Sequence, residues 1–195
     1  NTDESVTVTI GNETNVTGTT SGSEITPFST YWHDGQKQYL FTASELAIAG
    51  IGPGDITEIG WEVVAADPAL MNGFNIEVKH TTATTVTGFE SGFTNVYTGT
   101  HTAIVGWNMF TFSSPFAYNG SSNLLVKVCF DNTAYTYNST VYYSNTFNPM
   151  TGWAYNDLTS GCSDPYEGNI TSRPNTRITG EEMLNAPPGF PFNPL

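Results

Sequence analysis

Basic residues are scarce: five Lys and Arg stand against eighteen Asp and Glu, a net charge of −13 over 195 residues. A chain with no cationic surface cannot displace phosphate counterions, which excludes nucleic acid as a partner. It is equally unsuited to anionic lipid surfaces. No apolar run is long enough to cross a bilayer, so membrane insertion is not expected. The three histidines, His33, His80 and His101, fall at neither H-E-x-x-H nor H-x-H spacing, so no metal centre is assigned. No G-x-S-x-G elbow is present. Carboxylates such as Glu58, Glu62 and Glu77 could pair as in a glycosidase, but eighteen acids offer such pairs by chance. No catalytic residue is therefore named, and the chain is read as a non-enzyme. The acidity is read as serving solubility outside the cell; no acidic run has the ligand spacing of a calcium loop, so no cofactor is expected and Ca2+ binding is the minor alternative.

Helix formers are also thin, with charged residues at 12%, whereas aromatics reach 13% and Thr, Ser, Asn and Gly fill much of the remainder. That is the composition of strands and turns. The longest apolar run, Asn123 to Asn132, alternates Leu124, Val126, Val128 and Phe130 against Leu125, Lys127 and Cys129, the period of a strand buried on one face and partly on the other. Alternating faces mark Glu4 to Ile10, Ile56 to Ala65, Gly73 to His80 and Gly106 to Ser113, and further strands are read at Gln36 to Thr42, Thr94 to Thr98, Thr140 to Ser144, Gly152 to Asn156 and Arg173 to Thr179. Ala43 to Ala49 reads as a short helix capped by Ser44 and stopped by Gly50. Ile51 to Asp55, and Ser114 to Ser122 with Pro115, read as turns. The expectation is one all-β domain, an antiparallel jelly-roll-like sandwich of about nine or ten short strands.

Only two cysteines occur, Cys129 and Cys162. An even pair in a chain that starts at Asn1 rather than Met fits a secreted product in an oxidising compartment, so a disulfide and an extracellular or cell-surface location are expected. The alternative is two free buried thiols. Five N-x-S/T sequons, at Asn12, Asn15, Asn119, Asn138 and Asn169, lie in or beside predicted loops that could carry glycans. About that many arise by chance in such a composition.

The ends differ from the body. Residues 1–23 combine an amphipathic strand (Val6, Val8, Ile10) with a Thr/Ser/Gly stretch; 24–180 form the sandwich; 181–195 form an extended tail. That tail holds four prolines, which rule out a central strand, together with Met183, Leu184, Phe190, Phe192 and Leu195. It docks either on its own sandwich or on a neighbouring subunit.

One set of motifs runs in order along the chain. It comprises Gln38 to Leu46 with Ala49-Gly50-Ile51, Ile56-Thr57-Glu58-Ile59, Lys79-His80-Thr81, Gly106-Trp107-Asn108, Asn119 to Leu124, Val128 to Asn132, Cys162 and Arg173-Pro174-Asn175. The set resembles a secreted β-sandwich module of Bacteroidetes-type cell-surface and exported proteins, over roughly residues 25 to 180. The resemblance implies a non-catalytic extracellular module with a disulfide, usually built into longer chains beside enzymes or adhesive repeats.

Two functions follow. A free amphipathic strand can complete a neighbour's sheet and an apolar tail can lie along the next copy, giving head-to-tail assembly of this chain with itself into a surface fibril or appendage. The alternative is a carbohydrate-binding or adhesion module that stacks polysaccharide on Tyr31, Trp32 and Trp153, which lie in turn-rich segments. Trp61 and Trp107, on alternating strands, are assigned to the core.

Overall fold

The computed structural model describes residues 5–10, 20–157 and 161–182. It is all-β, with thirteen strands, one short helix and one 3-10 turn among the described residues. In chain order these are β1 (Ser5–Ile10), β2 (Thr20–Gly22), β3 (Asp34–Phe41), α1 (Ala43–Ala49), β4 (Ile51–Ala65), β5 (Leu70–Thr81), β6 (Thr94–Thr102) and β7 (Gly106–Tyr118). Then come β8 (Asn123–Asp131), β9 (Thr140–Asn145), β10 (Thr151–Asn156), the 3-10 turn Gly161–Ser163, β11 (Gly168–Ile170), β12 (Ser172–Pro174) and β13 (Thr176–Glu182). Three strands beyond the expected count, β2, β11 and β12, are three residues each, too short for alternation to mark.

Two antiparallel sheets pack face to face. The first runs β1-β13-β4-β9-β12, with β7 on β4 and β2 on β9; the second runs β11-β10-β3-β8-β5-β6. The central strand β8 behaves as its alternation predicts. Leu124, Val126, Val128 and Phe130 enter the core between the sheets, while Leu125 joins a smaller cluster with Leu40, Val86 and Met150. Trp61 sits at the middle of the main core, its ring 6.2 Å from Phe28, 6.1 Å from Tyr39 and 5.9 Å from Phe110. Phe28, from the irregular segment before β3, also stacks on Phe74 of the opposite sheet at 6.0 Å. Each such side chain, fully buried, stabilises by roughly 1.5–3 kcal/mol. The disulfide forms: Cys129 on the outer face of β8 is bonded to Cys162 in the 3-10 turn.

Four local expectations are corrected. The helix is capped by Thr42, not Ser44: Thr42 Oγ1 accepts the Glu45 N–H at 3.1 Å and Glu45 Oε2 accepts the Thr42 N–H at 2.8 Å, a capping box. Residues 51–55 are not a turn but the start of β4; Gly54 has φ 142° and lies so close to Glu181 that a Cβ would stand 2.1 Å from its Cγ. Pro115 lies within β7, because that strand pairs only with β4 and residues 112–115 bulge opposite a single β4 residue, where no ladder donor is required. Trp107 is half-buried on the outer face of β7, under the Arg177 guanidinium at 4.0 Å, not in the core. Alternation separates two faces of a strand but does not say which is covered.

Candidate functional site

Two regions stand apart from the structural core. The first is the margin of the first sheet. β1 pairs antiparallel with β13 of the same chain, from Ser5 opposite Glu181 to Ile10 opposite Thr176. Thr7 and Thr179 hydroxyls meet at 2.8 Å across this seam. Ile10 is buried, and Val6 and Val8 pack partly buried against the core beside α1. β1 has one strand neighbour, and β13 would become the sheet margin without it. The other predicted contact residues, Met183, Leu184, Phe190, Phe192 and Leu195, lie outside the described residues, as do the sequons at Asn12 and Asn15.

The second region is an aromatic ribbon on the outside of the second sheet. Trp153 and Tyr155, two apart on β10, share a face and stack with centroids 5.5 Å apart. Tyr155 stacks on Trp32 at 6.4 Å and 18°, and Trp32 meets Tyr31 edge-on at 5.7 Å. Tyr31 in turn lies 6.4 Å from Tyr135, on which His33 stacks at 6.0 Å. Tyr31, Trp32 and Tyr135 are 52%, 38% and 63% exposed, so this is surface rather than core. The structure therefore brings together the three predicted residues, Tyr31, Trp32 and Trp153, and adds Tyr155 and Tyr135. Tyr155 could have been found from the i, i+2 spacing with Trp153. Tyr135 comes from a loop with no periodic signal.

The ribbon is seated on a buried lysine. Lys37 Nζ donates to the Glu24 carbonyl and the Tyr155 hydroxyl and stands 4.5 Å above the Tyr155 ring. Burial draws the Lys37 pKa down to about 7, against a smaller opposing pull from Glu24. Burial likewise pushes Tyr155 up to about 12, so its hydroxyl stays protonated.

The remaining candidates do not assemble. Glu58, in the first sheet, accepts from Thr111 and Thr179 at 3.2 Å each, and Glu77, in the second, is ion-paired at 3.3 Å to Lys127 on the neighbouring strand of that same sheet. His80 Nε2 accepts the Asn119 N–H at 3.1 Å, and His101 lies among Phe28, Phe74 and Phe110 with its Nε2 3.0 Å from Asn108 Oδ1. Among the described sequons, Asn119 is exposed in the β7–β8 turn, Asn138 Oδ1 accepts the Tyr31 N–H at 3.0 Å, and Asn169 Nδ2 donates to the Val86 carbonyl at 2.8 Å and the Tyr166 hydroxyl at 2.7 Å. No described helix is long and apolar enough to cross a membrane.

No known protein family and no characterised protein matches the sequence. Among solved structures, the chain is similar to the cysteine protease and lectin-like domains of Cwp84, a surface layer associated protein of Clostridium difficile, at 14% identity and a TM-score of 0.44. That match covers 77% of this chain and 32% of the other. A second structure of Cwp84, after propeptide cleavage, matches at 14% identity and a TM-score of 0.45, covering 77% and 36%. The chain thus spans about a third of the length of these structures, and a likeness at this level carries no functional argument.

Proposed function

We propose that this chain is a non-enzymatic extracellular subunit that assembles head-to-tail with copies of itself into a fibril or surface appendage. The observation that supports this reading is the attachment of β1. It is a six-residue amphipathic strand that completes the sheet margin along β13 and fills an apolar strip with Val6, Val8 and Ile10. Nine residues, 11–19, join it to the body. Fully extended they reach about 30 Å, enough for the same strand to complete the β13 margin of a neighbouring copy instead of its own. Such an exchange uses one register for both pairings, and each copy offers one strand and one margin; passed on from copy to copy rather than returned between two, it propagates as an open filament. The apolar, proline-rich tail follows β13 directly in sequence and brings Met183, Leu184, Phe190, Phe192 and Leu195 to the chain. Deleting residues 1–10 is expected to leave a folded sandwich that stays monomeric by size-exclusion light scattering, while the full chain forms filaments visible by electron microscopy. Unchanged assembly after the deletion would remove the reading.

The aromatic ribbon favours a second reading, adhesion to polysaccharide. Exposed rings in series along one surface suit the apolar faces of successive sugar units. Trp32→Ala, with its ring at the surface and away from the core, is expected to lower affinity for a bound polysaccharide about tenfold, as loss of a stacking platform worth about 1–2 kcal/mol would. A glycan array with no binding by the intact protein would dismiss this second role.

A further inference from the structure

Three strand ends and one loop meet at a corner of the second sheet. Asp34 opens β3, and the register sets it beside Asp131 at the end of β8 and Asn156 at the end of β10. Two residues along, on the same face, Gln36 lies between Cys129 and Ala154. The Cys129–Cys162 bond fastens the 3-10 turn, and with it Asp164, to this corner. Gly161 is packed so closely there that a Cβ would stand 2.9 Å from both the Asp131 Cβ and the Phe130 carbonyl oxygen.

This corner buries oxygen without donors. Asp34 is 0% exposed; no N–H or hydroxyl donor among the described residues reaches either of its carboxylate oxygens, and its one hydrogen-bonding neighbour is the Asp131 carboxyl. Gln36 Oε1 is buried and lacks a partner. Leaving such acceptors dry and unmatched is costly, most of all for a carboxylate. The charged groups that act on Asp34 are all acids: Asp131, whose carboxyl lies against it, then Asp164 and Asp157. Around them, Asn156 Nδ2 donates to Asp164 Oδ1, and the His33 N–H donates to Asp157 Oδ1 at 3.1 Å. Asp131 and Asp157 are exposed, so the corner opens to solvent on their side.

Buried carboxylate and amide oxygens that share one face of β3, with three further acids and no cation among the groups that act on Asp34, suit a hard metal ion. We propose that this corner is a Ca2+ site, with the Asp34 carboxylate and Gln36 Oε1 as its inner ligands and Asp131 and Asp164 closing over the ion. No three His, Cys, Asp or Glu side chains form a complete ligand group among the described residues. Asp34, Asp131 and Asp164 are thus not grouped closely enough to ligate as they stand, and binding requires the Asp131 and Asp164 carboxylates to move inward onto the ion. Ca2+ fits better than Mg2+, because it accepts amide carbonyls in loose geometry while Mg2+ keeps its waters and demands an octahedron. The disulfide then has a second task, holding the Asp164 loop over the ion.

The test is a titration of the chelator-stripped full chain with CaCl2, read by calorimetry and by thermal unfolding. One site is expected, with the unfolding midpoint raised by about 5–10 °C at roughly 100 times the Kd. Asp164→Asn is expected to weaken binding at least about tenfold, whereas Glu58→Gln, on the other sheet, leaves it unchanged. Asp34→Asn abolishes it; should that variant fail to fold, Asp164→Asn still decides. No heat and no midpoint shift beyond that of NaCl at equal ionic strength would overturn the proposal. So would an equal shift with Mg2+, or native affinity in Asp164→Asn.

Discussion

Lys37 is a cation placed where water cannot reach it. Among the described residues its polar contacts are a backbone carbonyl and a phenol, and burial brings its pKa from the ordinary 10.5 to about 7. Between those two values the unfolded chain binds a proton that the native chain does not, so this group makes stability rise with pH across that window. The gain is up to about 1.4 kcal/mol per pH unit. Urea unfolding of the native chain and of Lys37→Met across pH 7 to 10 is expected to show that slope in the native chain and its loss in the variant; parallel curves would mean that Lys37 titrates normally. At this scale the sequence was only partly legible. Alternation placed Trp61 and the apolar side of β8 correctly, because an inward face of a central strand has no other place to go. It failed for Trp107, since the outer face of an edge strand alternates just as cleanly. It was silent on Lys37 and Asp34, whose burial depends on strands and loops far away in sequence.

Short elements are decided by caps and neighbours rather than by periodicity. Helix α1 spans only seven residues, too short to hold by propensity, so its capping box and its fixing to the sheets matter. Burial alone would raise the Glu45 carboxyl pKa, but the Arg173 guanidinium at 2.8 Å and the Thr42 contacts outweigh it and hold it below the usual value. The same Arg173 donates to the Leu40 carbonyl and covers Phe41 at 4.2 Å, which ties the two sheets together beside the helix. Thr42→Ala is expected to cost about 1 kcal/mol in urea unfolding, and Ser44→Ala less than about 0.5 kcal/mol; the reverse ranking would restore Ser44 as the cap. Thr42 was missed because it reads as the last residue of a strand. Pro115 was misread for a related reason: a proline signals a turn until the sheet shows that its strand lies at an edge with a bulge.

For the whole molecule, the two-sheet body and its single disulfide were legible because composition, strand spacing and cysteine parity all point the same way. The destination of β1 was not, since a sequence carries the strand but not the margin it completes. Here that margin is β13 of the same chain, in a seam whose register places Thr7 opposite Thr179. The fibril reading holds that the identical seam forms between copies in the assembled state. The direct measurement is therefore a cross-link: Thr7→Cys with Thr179→Cys, whose parent hydroxyls stand 2.8 Å apart, oxidised in assembled material and run on a non-reducing gel. Strand exchange between copies gives a ladder of covalent multimers that collapses to a single band on reduction. A product that stays at monomer mass, with both new thiols consumed, would mean that every copy keeps its own strand, and would contradict it.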